Sequence, residues 1–330
     1  MSQNAGKKCG LVADVGGTNV RFALVDLDAP GPLAVHSAQH FATRDYAGMA
    51  EAANTYLKQH APSVALKSAC FAVAGPVSDG KISFTNSDWA FSEKDLGEKL
   101  GGTRVRLIND FEATAYAIPH LGKSDVITIG PDVSGADGQQ KTFCVLGPGT
   151  GLGMAGLVRD GARDVALVTE GGHAGFAPGN ALEVAVLEFL RKRYDHVSRE
   201  RLLSGAGLRN LYDAMCEIDG VDNVDPKPED ITAEAMRNAQ SFCARVFGAF
   251  CAILGSAAGD AALTMGARGG VYLAGGILPD AVDFLQKSAF RARFTAKGRF
   301  HDYLAAIPTF LIVHPYAALL GAASRLADTD

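Results

Sequence analysis

Residues 104 to 118, RVRLINDFEATAYAI, bring two groups able to do chemistry to one point: Asn109 and Asp110 stand where a short apolar run ends and an amphipathic segment begins. Val105, Leu107 and Ile108 suit a mostly buried strand, and Phe111, Thr114, Ala115 and Ile118 recur at helical spacing. Asp110 is therefore expected at a strand-to-helix junction. In open α/β sheets such junctions open into the ligand crevice, where a carboxylate can take a proton from a bound hydroxyl. The plainer alternative is an Asp that only caps the helix.

A second carboxylate, Asp14, stands at the mouth of a glycine-rich turn in LVADVGGTNVRFALVD, residues 11 to 26. The same outline of apolar strand, Gly-Thr turn and apolar strand returns in TFCVLGPGTGLGMAGLV, residues 142 to 158. Successive backbone N–H groups in such a turn form a concavity that phosphates can enter. Two facing turns could share one nucleotide; the alternative is a pair of plain tight hairpins. A carboxylate beside phosphates repels them unless a divalent cation lies between, so Asp14 points to Mg²⁺ held through water.

Gly151, Gly153 and Gly156 also match G-x-G-x-x-G, but the glycines run into a second strand, a turn at Asp160-Gly161 and a third strand. A dinucleotide fingerprint has to open a helix, so a nicotinamide enzyme is excluded on context. The P-loop spacing G-x-x-x-x-G-K-[ST] is absent, which excludes that class of NTPase.

The elements that must hold these groups fall into two parts, and a length of 330 residues suits two domains. Strands are expected around 11–26 (a hairpin), 33–41 and 67–73, with a helix over 46–60. One domain would cover residues 1–109, joined by a C-terminal helix within 315–330, and a larger one residues 110–314. In the second part helices are expected over 181–193, 199–215 and 232–265, with a buried strand in GGVYLAGGI, residues 269 to 277. Glu200 would then sit in the first turn of a helix, where a carboxylate suits the dipole. Glu170 and His173 flank two glycines that allow close approach to a ligand.

Hydrophobic content of 48% and charged content of 20% describe a globular chain. The net charge of -5, with no basic block, argues against a nucleic acid partner. Six scattered cysteines without a Cys-x-x-Cys pair read as free thiols in a reducing compartment, the cytoplasm. The apolar stretch 246–259 stops short of a membrane span, so a buried helix is expected there and no membrane contact.

Taken together, DVGGTN (14–19), LINDFEA (107–113), GPGTGLG (147–153), EGGH (170–173), ERLLSGAGL (200–208) and AGGI (274–277) resemble the bacterial glucokinases of the hexokinase, actin and Hsp70 superfamily. The likeness spans nearly the whole chain, and the order and spacing of the motifs are more specific than any one of them. The related ROK branch carries a Cys-rich zinc motif that this sequence lacks, and no DNA-binding extension is expected ahead of the first strand.

The resemblance implies an α/β, two-domain actin-like (ribonuclease-H-like) fold with a mixed sheet in each domain and a cleft between them. It implies ATP-dependent phosphorylation of glucose, with phosphates at Ala13, Asp14, Val15, Gly16, Gly17 and Thr18 and at Gly147, Gly149, Thr150, Gly151 and Gly153. The purine would lie near Ala274, Gly275 and Gly276. Sugar contacts carry over to Asn109, Asp110, Glu170, His173 and Glu200, with Asp110 as the general base and Asp14 as the Mg²⁺ residue. A homodimer is also implied. The rival readings are a kinase for another hexose and a sugar-sensing regulator without catalysis. Trp89, in TNSDWAF, is expected on the cleft wall of the first domain.

Overall fold

The computed structural model describes residues 9–28, 33–61, 66–83, 89–133, 141–161 and 163–327. The chain forms two compact units: Met1–Gly122 with Gly161–Ala166 and His314–Asp330, and Lys123–Asp160 with Leu167–Val313.

The first unit contains strands β1 (Cys9–Val15), β2 (Asn19–Asp26), β3 (Val35–Ala42) and β4 (Leu66–Val73), then the short pair β5 (Lys81–Ser83) and β6 (Ala90–Ser92), and β7 (Arg104–Asn109). Its helices are α1 (Met49–His60), α2 (Glu93–Lys99) and α3 (Asp110–Ala117). The second unit contributes β8 (Val126–Thr128), β9 (Thr142–Pro148), β10 (Leu152–Asp160) and β11 (Arg163–Thr169), whose first residues belong to the first unit. Helices α4 (Ala181–Arg191), α5 (Gly205–Asp219), α6 (Pro228–Arg237) and α7 (Phe242–Met265) follow, then β12 (Gly270–Leu273), α8 (Val282–Lys287), α9 (Phe290–Thr295), α10 (His301–Ala305) and β13 (Thr309–Ile312). The chain ends in α11 (Ala317–Ala327), which returns to the first unit.

The five-stranded sheet of the first unit has the order β3-β2-β1-β4-β7. β2 runs antiparallel to both β1 and β3, whereas β1, β4 and β7 are parallel. Strand alternation sends Leu11, Ala13, Val15, Phe71 and Val73 to one apolar core under α1 and α2, and Val12, Cys70, Ala72 and Ile108 to another under α3 and α11. Being covered on both faces, β1 over residues 9–13 and β4 over residues 69–73 read as continuous apolar runs. Because the three strands are parallel, Val15, Val73 and Asn109 end on one edge of the sheet.

α3 packs on α11 so closely that a Cβ added at Gly321 would land on the carbonyl oxygen of Ala113. This contact carries the first unit past the expected limit at residue 109 to Gly122. Trp89, expected on a cleft wall, is instead buried in the core under α1 and α2, its indole N–H 3.4 Å from the Tyr46 carbonyl. Of the rest of that expected wall, residues 84–88 lie outside the described residues, and Ala90 and Phe91 belong to β6.

The second sheet has the order β11-β10-β9-β12-β13-β8. β9 and β10 are antiparallel, and β9, β12 and β13 are parallel, so the hairpin-then-parallel pattern of the first sheet recurs. The repeated glycine turns thus join equivalent strands of two mixed sheets. α7 is longer than the apolar stretch read from the sequence, and its 24 residues are enough by length and composition to cross a membrane. Phe247, Phe250, Cys251, Leu254, Ala258 and Ala262 along it are nonetheless fully buried in the core of the second unit, so it serves as a core helix.

The expected helix over 199–215 is divided. Arg199–Arg201 is a single 3₁₀ turn, and α5 starts at Gly205 because the Ser204 hydroxyl accepts from the N–H of Gly207. Glu200 therefore belongs to the turn before the helix. The expected helix over 232–265 is likewise split into α6 and α7, the second capped by Ser241. All six cysteines are free thiols, five of them buried.

Candidate active site

Asp110 is the first residue of α3, at the C-terminal end of β7. The helix starts there because Asn109 caps it: its Oδ1 accepts from Phe111 N–H (2.9 Å) and Glu112 N–H (3.3 Å), while Glu112 Oε2 accepts from Asn109 N–H (3.3 Å). The Asn109 side-chain amide donates to the Gly75 carbonyl at 3.2 Å, fixing this corner against the end of β4. Capping therefore falls to Asn109, and Asp110 is left with one carboxylate oxygen on Phe111 N–H at 2.9 Å.

Burial, then the charge of Asp14, push the Asp110 carboxyl up from 3.8 to about 6, against the opposing pull of the Phe111 N–H. Asp14 lies near the same edge of the sheet, on β1, with only β4 between the two strands. At the usual strand spacing the two backbones are about 10 Å apart. The Asp14 carboxyl is itself raised, by burial above all, while Arg21, with Nη1 3.3 Å from Oδ2, opposes that rise. The turn after β1 is closed by Gly16 N–H to the Asn19 carbonyl (2.9 Å), and Thr43 holds it from outside through bonds to the carbonyls of Gly17 and Thr18, both 3.0 Å. Ala13 and Val15 are fully buried strand residues, Gly17 is partly exposed and Thr18 exposed.

In the second unit the structure brings Glu170, His173 and Glu200 together. A 3₁₀ turn over Gly171–His173 puts His173 Nε2 4.0 Å from Glu170 Oε2, and His173 Nδ1 is 3.9 Å from Glu200 Oε1. Both gaps exceed hydrogen-bond length, so these groups keep capacity for a polar ligand between them. Gly172 is required by packing, since a Cβ there would strike the Leu152 carbonyl; one at Gly171 would lie 2.5 Å from Met154 Sδ and would need that side chain to move.

The turn between β9 and β10 holds Gly149, Thr150 and Gly151, with Gly149 N–H donating to the Gly151 carbonyl at 2.8 Å. Gly147 and Gly275 meet back to back, because a Cβ on Gly147 would lie 2.5 Å from the Ala274 carbonyl and one on Gly275 would strike that of Pro148. Gly153 lies in β10, paired with Gly147. Beside the turn is a cavity of about 660 Å³, lined by Gly149, Thr150, Gly276, Ile277, Leu208 and residues of α6 that include Thr232, Ala233 and Met236. Its size and largely apolar lining suit a nucleoside. The α6 residues carry no motif, and nothing in their spacing marks them as pocket lining.

Among the described residues no group of three or more His, Cys, Asp or Glu side chains forms a metal cage. A single carboxylate of Asp14 is what Mg²⁺ generally uses, completed by waters and substrate phosphates, and Oδ1 is the oxygen that Arg21 does not take.

The glucokinase family model matches residues 11–329. The chain belongs to the glucokinase family. A glucokinase from Stenotrophomonas maltophilia (strain K279a) is 42% identical over 322 residues, covering 97% of this chain and 95% of the relative. One from Caulobacter sp. (strain K31) is 46% identical over 319 residues, covering 95% and 94%. The crystal structure of a glucokinase from an Antarctic psychrotroph superposes with a TM-score of 0.88 at 36% identity, covering 98% of this chain and 99% of that one. A ROK family glucokinase from Streptomyces griseus, solved with glucose and AMPPNP, shares the fold at a TM-score of 0.65 and 19% identity, with 98% and 100% covered. The glucokinase membership thus extends over both units.

Proposed function

We propose that the chain transfers the γ-phosphoryl group of ATP to the 6-hydroxyl of glucose, giving glucose 6-phosphate and ADP. The observation that carries the reading is Asp110: a partly buried carboxylate at the C-terminal edge of β7, with its carboxyl at about 6. A base so poised is ionised at neutral pH yet basic enough to take a hydroxyl proton. Asn109, Glu170, His173 and Glu200 hold the sugar hydroxyls, and Asp110 takes the O6 proton as O6 attacks the γ-phosphorus. The bond to the β,γ-bridging oxygen breaks and its electrons leave with ADP.

The phosphates would lie against the turns at Ala13–Thr18 and Gly147–Gly153, and the nucleoside in the cavity beside α6. Asp14 would hold Mg²⁺ through water, and the ion would supply charge neutralisation at the phosphate oxygens. Orientation and exclusion of water fall to the protein, since phosphoryl transfer is dominated by positioning and charge stabilisation. We further propose a cytoplasmic homodimer feeding glycolysis.

The test is ADP release coupled to glucose 6-phosphate formation, with glucose, mannose and fructose compared and Mg²⁺ withdrawn by a chelator. Glucose-dependent, Mg²⁺-dependent turnover is expected. Faster turnover with another hexose would transfer the reading to that sugar, and glucose binding without turnover would make the chain a sugar-sensing regulator.

A further inference from the structure

The turn between β9 and β10 is gripped from two sides by one short segment. Gly205 N–H donates to the Gly149 carbonyl at 2.9 Å, and Leu152 N–H donates to Glu200 Oε2 at 2.9 Å. The other oxygen of the same carboxylate, Oε1, faces His173 Nδ1 at 3.9 Å. Glu200 thus has one oxygen on the backbone of the phosphate turn and the other toward the sugar half-site. The segment is itself fixed, since the Ser204 hydroxyl donates to the Glu200 carbonyl at 2.9 Å.

Gly151 supplies a separate observation. Its backbone is outside the left-handed region, so conformation does not demand glycine there. A Cβ at 151 would instead lie 2.5 Å from Glu200 Oε2 and 3.3 Å from Cδ. A Cβ at Gly149, in the same turn, would meet nothing within 4 Å. The two glycines therefore have different causes: 149 leaves its surroundings open, and 151 makes room for a carboxylate.

We propose that Glu200 is a positioning residue that ties the sugar half-site to the phosphate turn, and that position 151 is glycine so that this tie can form. The proposal rests on the sugar assignment above for one of its two ends. A sugar that draws on Glu200 Oε1 fixes the carboxylate and with it the Leu152 N–H. By reciprocity, glucose and ATP then strengthen each other's binding by the same factor. A substitution at Gly151 that displaces the Glu200 carboxylate is accordingly expected to weaken the sugar.

Two readouts test this. Amide hydrogen exchange at Leu152, measured without ligand, reports the tie itself: protection should fall in Glu200→Ala and Gly151→Ala and be retained in Glu200→Gln, whose amide oxygen can still accept. Calorimetry with glucose alone reports the sugar end. Gly151→Ala should lose about tenfold or more in glucose affinity, and Gly151→Ala added to Glu200→Ala should lose no more than Glu200→Ala by itself. Thermal unfolding within a few degrees of wild type identifies variants that are folded, and Glu200→Gln serves if the alanine variants are not. Unchanged Leu152 protection in Glu200→Ala overturns the proposal. So does an equal glucose loss from Gly151→Ala with and without Glu200. Wild-type protein that binds no glucose while Leu152 behaves as expected overturns the sugar assignment and leaves the tie standing.

Discussion

Replacing Asp110 by Asn is expected to make the unliganded protein more stable while removing its chemistry. Burial and the neighbouring Asp14 lift the carboxyl from 3.8 to about 6, so at neutral pH the fold holds an ionised group in a place that favours the neutral one. With the folded value above the unfolded one, the folded state binds more protons between pH 3.8 and about 6. Stability therefore falls as pH rises through that window and levels off above it. At about 1.36 kcal/mol per pH unit the full penalty is roughly 3 kcal/mol, an upper limit because part of the side chain reaches water. Asn is neutral throughout, and its Oδ1 can still accept from Phe111 N–H. Urea unfolding of both proteins should show a gain of about 2–3 kcal/mol for Asp110→Asn near pH 7.5 that shrinks below about 1 kcal/mol near pH 4.5. Turnover should move the other way, falling by ~10²–10⁴, and wild-type kcat/KM should decline below about pH 6. A gain that is absent or independent of pH would refute the account of Asp110 as a desolvated carboxylate. Comparable turnover in the variant would remove it from the mechanism.

Glu170→Gln and His173→Ala should raise the KM for glucose about tenfold or more with a smaller loss in kcat; unchanged steady-state kinetics in both would move the sugar elsewhere. Ala233→Trp projects an indole into the cavity beside α6, so the KM for ATP should rise at least about tenfold while glucose affinity without nucleotide is kept. Equal nucleotide affinity by calorimetry would exclude that cavity. Gly321→Ala forces a Cβ onto the Ala113 carbonyl and should cost about 1–3 kcal/mol, with kcat reduced because α3 carries Asp110. A variant with wild-type thermal midpoint and kcat would show that the α3–α11 contact is not strained by a methyl group.

Much of the Asn109–Asp110 corner is written locally. The cap that starts α3 lies within Asn109–Glu112, and the apolar run of β7 lies within the six residues before Asp110, so a strand-to-helix junction could be read from neighbours in the chain. The two glycine hairpins were legible for the same reason: a tight turn between apolar runs is a matter of a few backbone torsions. Helix starts failed where a side-chain cap outranked apolar periodicity. Ser204 delays α5 to Gly205, which leaves Glu200 in a 3₁₀ turn.

Tertiary structure alone decided what no local pattern encodes. Leu152 and Glu200 are 48 residues apart, and only the packing of the 3₁₀ turn against β10 brings one onto the other. The α6 wall of the cavity is an amphipathic helix like many others until the fold sets it to line one cavity with Gly276 and Thr150. The limit of the first unit at Gly122 follows from Gly321 meeting Ala113 across two helices that the chain separates by most of its length. Trp89 lies in a core although its segment leads toward Asn109 and Asp110, because sequence order fixes what precedes a residue and not which face of the sheet its side chain covers. Local hydrogen bonds and alternation specify where elements begin and end; which carboxylates share a site depends on long-range burial, and that is settled only when the cores form.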